Sequence, residues 1–342
     1  MLLSVSLMLL AAQEAEYPAP GKNEPQEALA PRMSPAKAAA WLDSVAVTWT
    51  RRRQCVTCHT NLPYLWARPS LKAFEGRAEG EVRGFLERTA ETWERDKPPR
   101  KYSVDGGWDA QVVATAVTLA VHDSRTTGRL HPLTRKALDK MWALQRPDGS
   151  WNWPKCDWPP MEHDDYFGAT YVALGVGSAP EGYAASEAAK TGVEKLRRYL
   201  KARPAPDLHH KLMLLWASIK LDGLMTPAER EAALRELLAL RKKDGGWCLA
   251  SLGGWGRHDG SDNPPDAPSD GYATGLALVV LKAAGLASDD ARVKPGVEWL
   301  KANQRESGRW FTRSLSDDDY HFLTHVGTAY AVMALEACGE LR

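Results

Sequence analysis

Four places in the 342-residue chain carry nearly the same phrase: VDGGWDA at 104–110, LQRPDGSWNW at 144–153, LRKKDGGWCL at 240–249 and NQRESGRWFT at 303–312. No other feature restricts the fold as much. A phrase that returns along a chain marks a structural unit that returns, and such units bury their apolar faces by stacking on one another. The last three phrases follow amphipathic stretches (LTRKALDKMWA, PAEREAALRELLAL and KPGVEWLKA). Each of the four is followed, after a loop, by an apolar stretch rich in Ala, Gly and Thr: AQVVATAVTLAV, DDYFGATYVALGV, DGYATGLALVVLKAAG and YHFLTHVGTAYAVMAL. The first kind reads as an outer helix with one buried face, the second as a helix buried all round. The Gly between them can take the left-handed conformation that ends a helix, and the Trp covers the turn with a large ring. The repeat also accounts for 14 Trp against 5 Phe.

The intervening segments complete the series. ASEAAKTGVEKLRRYLKA and DLHHKLMLLWASIKL form a pair whose turn has decayed to RPAP, GEVRGFLERTAETWER is the outer helix before VDGGW, and SPAKAAAWLDSVAVTWT with NLPYLWARPSLKAF makes a first pair. Outer helices are expected near 35–50, 80–95, 133–146, 186–202, 226–242 and 291–304, and inner helices near 62–74, 109–122, 164–177, 207–221, 269–285 and 319–337. The expected fold is all-α: an α/α toroid of about six hairpins over 34–342, inner helices around a central cavity, with a linear solenoid as the alternative. Because every hairpin runs the same way, the Gly/Trp turns and the starts of the inner helices should gather at one mouth.

The start, MLLSVSLMLLAAQEA, has a short apolar core followed by small residues, so 1–15 reads as a signal peptide and 16–33, rich in Pro, Glu and Ala, as a linker. The expected location is therefore outside the cytoplasm, as in a periplasm. No other stretch is long and apolar enough to span a bilayer. A formal charge of +1 gives no basic surface for nucleic acid.

The Q-x-x-D-G-x-W phrases resemble the QW motifs of squalene–hopene and oxidosqualene cyclases, and the toroid is similar to that of protein prenyltransferase β-subunits. The resemblance covers about residues 35 to 342. It implies the toroid; for activity it implies little, because these motifs are structural turns. Triterpene cyclases also have two barrels with the active site between them, and this chain has one.

One stretch stands outside the repeat. CVTCH at 55–59 lies between the first outer and first inner helix, where other repeats carry a Gly/Trp turn. C-x-x-C-H is the attachment signal of c-type haem, with Cys55 and Cys58 as thioether donors and His59 as iron ligand. A thioredoxin-like site would need a βαβ pattern, and a structural zinc site a second C-x-x-C; neither is found. A further axial ligand could come from His163, His321 or His325, with His209, His258 and Met161 also near inner-helix starts.

Carboxylates should gather at the same mouth: Asp164 and Asp165 in EHDDY, Asp317, Asp318 and Asp319 in SDDDY, and Asp109, Asp207 and Asp270. The cyclase resemblance implies an acid of a D-x-D-D motif that protonates a double bond, which makes Asp164, Asp165, Asp317, Asp318 and Asp319 candidate catalytic residues. No stretch reproduces D-x-D-D in full. Asp at a helix start is also what capping and the helix dipole favour, and that setting holds the charged form. The prenyltransferase zinc set is incomplete: Asp270 and His321 fall in place, but Tyr272 stands where a Cys is needed. Tyr166, Phe167, Tyr171, Tyr272, Tyr320, Phe322 and Tyr330 could face the cavity; the long loops after Trp151 and Trp247 suggest a rim or lid.

The functional expectation is an exported toroid with covalent haem c that binds or transforms a hydrophobic, isoprenoid-like small molecule, or exchanges electrons with a redox partner protein. A cofactor-independent cyclase or isomerase using an Asp acid, and a non-enzymatic binding scaffold, are the alternatives.

Overall fold

The computed structural model describes residues 17–74, 76–93 and 106–341. The expected signal peptide lies outside the described residues. Among the described residues, twelve α-helices alternate between an outer and an inner layer. The outer helices are α1 (Pro35–Arg53), α3 (Ala78–Thr92), α5 (Pro132–Ala143), α7 (Glu187–Ala202), α9 (Pro227–Ala239) and α11 (Lys294–Ala302); the inner are α2 (Asn61–Ala67), α4 (Gly107–Thr126), α6 (Asp165–Ser178), α8 (Leu208–Lys220), α10 (Gly271–Ala283) and α12 (Phe322–Cys338). Each inner helix packs on the next, and α12 packs on α2, so the ring closes. The fold is an α/α toroid.

The sequence sets these boundaries by recognisable chemistry. Ser34 caps α1 ahead of Pro35, and Thr226 caps α9 in a reciprocal box with Glu229. Inner helices α6, α8 and α10 start in the same register: Asp164, Asp207 and Asp270 each accept a hydrogen bond from the backbone N–H three residues on. Asp109 departs from this expectation, lying inside α4, whose cap is Gly106. Asp319 precedes His321, the cap residue of α12. The inner helices are apolar because they meet neighbours on every side; Gly271 to Leu281 of α10 are all buried. Small residues permit the contact: a Cβ on Gly275 would stand 2.7 Å from the Ala331 backbone nitrogen of α12.

The three intact turns are built alike. The indole N–H groups of Trp151, Trp247 and Trp310 donate to the carbonyls of Met141, Leu237 and Leu300, each ten residues earlier, at 2.8, 2.8 and 2.7 Å. Each therefore adds a second hydrogen bond to a carbonyl in the last turn of an outer helix that otherwise accepts only from the N–H three residues on. Gly149, Gly245 and Gly308 have φ of +98°, +95° and +100°, and each presses on the backbone of the next outer helix, at Lys195, Pro295 and Lys37. The last contact joins the sixth hairpin to the first. Gln304 completes the seam: its Oε1 accepts from Ser34 N at 2.6 Å and its Nε2 donates to the carbonyls of Ser34 and Gly308. The phrase at 104–110 behaves differently, since Trp108 is the second residue of α4.

Two expectations shift. Residues 17–33, read as a linker, lie along the seam as a strap: Ala30 N donates to Gln304 O at 2.8 Å, and Glu27 pairs with the buried Arg309. The axis, expected as a cavity, is open only at its far end, where residues of all six inner helices line about 330 Å³; nearer the mouth it is plugged by rings from five inner helices. Trp66, Tyr171, Trp216, Tyr272 and Tyr330 are buried and in mutual contact, with centroids such as Trp66–Trp216 at 5.8 Å and Tyr272–Tyr330 at 5.1 Å. No helix among the described residues is long and apolar enough to cross a membrane.

Candidate functional site at the mouth of the toroid

The CVTCH segment is held by its neighbours rather than by regular structure. Gln54 ends α1 in the left-handed region at φ +53°. The Trp49 indole donates to Cys55 O at 3.1 Å, and the Gln111 amide of α4 pairs with both the N–H and the carbonyl of Val56, at 3.1 and 2.6 Å. Cys55 is left half-buried, while Cys58 and His59 are buried.

His59 is fixed on three sides. Its ring stacks on Phe322 with centroids 4.2 Å apart and meets Trp49 edge-on at 4.7 Å. Its Nδ1 lies 2.7 Å from the Thr60 hydroxyl, whose oxygen lies 3.0 Å from Nδ1 of His325. With Nδ1–H of His59 donating to Thr60 and the Thr60 hydroxyl donating to His325, Nε2 keeps a free lone pair. Burial, with His321 nearby, depresses the His59 pKa to about 3, so the ring is neutral near pH 7. A neutral imidazole with Nδ1 anchored is the state a metal-binding histidine needs.

Two cavities meet at this segment. One, of about 430 Å³, is lined by Cys55, His59, Met161 and an aromatic wall of Trp49, Trp158, Tyr320 and Phe322. The other, of about 460 Å³, is lined by Cys55, Cys58, Gln111 and Trp153. Arg53, Cys55 and Glu162 border both. The Cys58 thiol donates to Glu162 Oε1 over 3.6 Å. Burial, then the Glu162 charge, pushes the Cys58 pKa well up, and burial raises that of Glu162. Cys156 is pushed to about 11 by burial and then Glu162. These thiols are protonated, unlike the thiolates of nucleophilic cysteines.

The candidate acids sit at or near the same rim in other roles. Asp164 caps α6 and stands 3.0 Å from His210 Nε2. Asp165 is bound by Arg146 at 2.9 Å and Lys155 at 2.7 Å. Asp318 is bound by Arg313 at 2.7 Å and Arg257 at 2.9 Å, and the hydrogen bond from Arg313 heads the causes that hold its pKa below the usual range. Asp317 accepts from the backbone N–H of Asp319, which is exposed. Asp318 is thus held as a carboxylate, the opposite of a proton reservoir, and Asp165 is engaged by two cations. Asp270 differs: burial raises its pKa to about 6, although three protein groups donate to it, the N–H of Leu249 and Ala273 and the Thr312 hydroxyl.

Of the residues considered as a second axial donor, Met161 is buried on the wall of the cavity that His59 lines. His325 reaches His59 only through Thr60, and His321 packs on His325 with centroids 5.1 Å apart, neither on that wall. His163 is turned outward, 3.8 Å from Asp157, His258 Nε2 donates to Asp157 O at 2.8 Å, and His209 meets Tyr272. Sequence reasoning missed Thr60, Gln111 and Glu162. No pattern marks them; they matter only through the contacts that closing the ring creates.

No protein-family model matches the chain, and no curated protein matches it. Among solved structures, a protein from Actinoplanes is similar, with a TM-score of 0.50 at 15% identity, covering 88% of this chain and 99% of that one. At that identity the likeness concerns the fold alone, an all-α toroid closed at its seam.

Proposed function

We propose that this chain is an exported, squalene-cyclase-like toroid that carries haem c on Cys55 and Cys58, with His59 as iron ligand, and that it works at its rim as a redox protein. The observation that carries the reading is the setting of His59: neutral, anchored through Nδ1, and lining an aromatic-walled cavity that Cys55 also lines. That donor set fits haem c in kind, and the cavity falls within the range of about 300–1,000 Å³ usual for small-molecule sites. When bound, haem supplies an iron centre that can change oxidation state. The chain's own part is to hold the imidazole against Phe322 and Trp49, to present the Cys55 and Cys58 sulfurs for attachment, and to exclude water with the Trp158–Tyr320 edge.

The plug favours a role at the rim that carries CVTCH, because Trp66, Tyr171 and Tyr330 leave no open channel from that mouth to the cavity at the far end. A hydrophobic ligand would bind at the aromatic wall, and electrons would pass to a partner protein at the exposed side of Cys55. The paired state of Asp165 and Asp318 gives no support to an acid-initiated cyclase.

Expression with a c-type maturation system tests the reading. Haem that stays with the polypeptide through acidified acetone, and is lost in Cys55→Ala/Cys58→Ala, is the expected result. A chain that matures without covalent haem would overturn it.

A further inference from the structure

The start of α8 carries a second cluster that the haem reading does not use. Asp207, His209 and His210 each bring a ligand atom to within 4.8 Å of the other two. Both imidazoles are fully buried. The informative feature is how their far edges are held. Nε2 of His209 lies 2.9 Å from the Tyr272 hydroxyl of α10. Nε2 of His210 lies 3.0 Å from Asp164 Oδ2 of α6, in ion contact though off the hydrogen-bonding line. The near edges remain. Nδ1 of His210 meets Asp207 Oδ1 at 2.7 Å, while Nδ1 of His209 is buried with no partner.

An imidazole that binds a metal through one nitrogen characteristically has the other held by a carboxylate or another polar group, which sets tautomer and ring angle. Here that holds twice, from two different neighbouring helices. An unpartnered imidazole nitrogen in a dry setting otherwise costs free energy with nothing in return. Asp164 and Asp207 flank His210 at 3.0 and 2.7 Å, so a cation entering here meets two carboxylates and displaces the proton the ring shares with Asp207. Asp207 is partly exposed, which gives an entry side.

We propose that Asp207, His209 and His210 form a binding site for a divalent transition metal of the zinc class, with Tyr272 and Asp164 as positioning residues. Two imidazole nitrogens and a carboxylate oxygen suit Zn²⁺ at about 2.0–2.2 Å per bond and leave a fourth position on the Asp207 side for water or a ligand. The side chains must draw in around the ion, since 4.8 Å bounds the present spread of the ligand atoms.

The test uses the full-length Cys55→Ala/Cys58→Ala chain, which removes the thiols of the CVTCH segment as competing ligands, so the result does not depend on the haem reading. Zn²⁺ is titrated by calorimetry against a competing chelator. One equivalent should bind, and Tyr272→Phe, which removes only the hydroxyl that holds His209, should weaken it about 10–100-fold. His209→Ala should abolish the stoichiometric site; if that variant does not fold, Asp207→Asn replaces it. Absence of one-equivalent binding, or an affinity indifferent to both Tyr272→Phe and the ligand substitution, overturns the proposal.

Discussion

Gly308→Ala is the most direct probe of how this ring is closed. Gly308 sits at φ +100°, and an added Cβ would stand 2.3 Å from Lys37 O and 2.4 Å from its carbonyl carbon, both backbone atoms of α1. Two costs follow. Holding an alanine in that region of φ costs about 1–3 kcal/mol, and displacing a packed backbone costs on the order of another 1–3 kcal/mol. Gly339, at φ +81° with nothing within 4 Å of its added Cβ, isolates the first cost. Gly339→Ala should therefore lose about 1–3 kcal/mol and Gly308→Ala roughly 2–6 kcal/mol. At about 2–4 °C per kcal/mol for a large domain, the Tm of Gly308→Ala should fall by roughly 4–24 °C. Thermal unfolding followed by circular dichroism measures both. Equal losses in the two variants would mean that the sixth turn does not press on the first helix, and the closed ring would have to be abandoned for an open stack.

The other predictions concern single contacts. Trp310→Phe and Trp151→Phe each remove one of two hydrogen bonds to a buried carbonyl and should cost about 0.5–1.5 kcal/mol apiece in chemical denaturation; losses differing several-fold would contradict the equivalence of the turns. Asp43→Ala strands the buried Arg68, which it binds at 2.8 Å while accepting from the Tyr64 hydroxyl, and should cost about 3–5 kcal/mol; a loss below about 1 kcal/mol would show Arg68 finding water instead. In haem-loaded protein, Thr60→Val should let added imidazole displace His59 at about 10–100-fold lower concentration, read from the absorption spectrum; an unchanged midpoint would remove Thr60 from the role of anchor. Glu162 has a folded pKa raised above its ordinary 4.5, chiefly by burial. Between those values the folded chain keeps a proton that the unfolded chain has shed, so stability falls as pH rises through the window. Glu162→Gln should flatten that slope in denaturation midpoints measured across it, and an undiminished slope would place Glu162 in water.

The fold was readable because its devices are local. LQRPDGSW, LRKKDGGW and NQRESGRW each carry a left-handed Gly and an indole that reaches back ten residues, and a contact of that span leaves a fixed spacing in the sequence. VDGGW misled because it shares the letters without the role; Trp108 already belongs to the inner helix. The plugged axis was legible in part: Tyr171, Tyr272 and Tyr330 read as rings facing the axis, but nothing within one repeat says that Trp66 and Trp216 meet them there and close it. The same holds for Glu162, which becomes Cys58's partner only because α1 and the loop after Trp153 share a rim.

That rim is where physical chemistry leaves room for function. Inner helices buried on all sides make an unpaired polar group costly along their length, and the tyrosines of the plug bond with one another or with His209. At the starts of those helices the backbone N–H groups lack intrahelical partners, and carboxylates, imidazoles and hydroxyls can be recruited there at little cost. Once Asp164, Asp207 and Asp270 are fixed as caps, they form a ring of anionic sites of which one, at Asp207, is backed by two imidazoles and another, at Asp270, is closed by three donors. CVTCH replaces a Gly/Trp turn at this same rim, between α1 and α2. It brings His59 against Phe322 of the last inner helix, and so its imidazole reports on ring closure as directly as Gly308 does. A Gly308 substitution that loosens the seam should therefore disturb the His59 setting as well, from the opposite end of the chain.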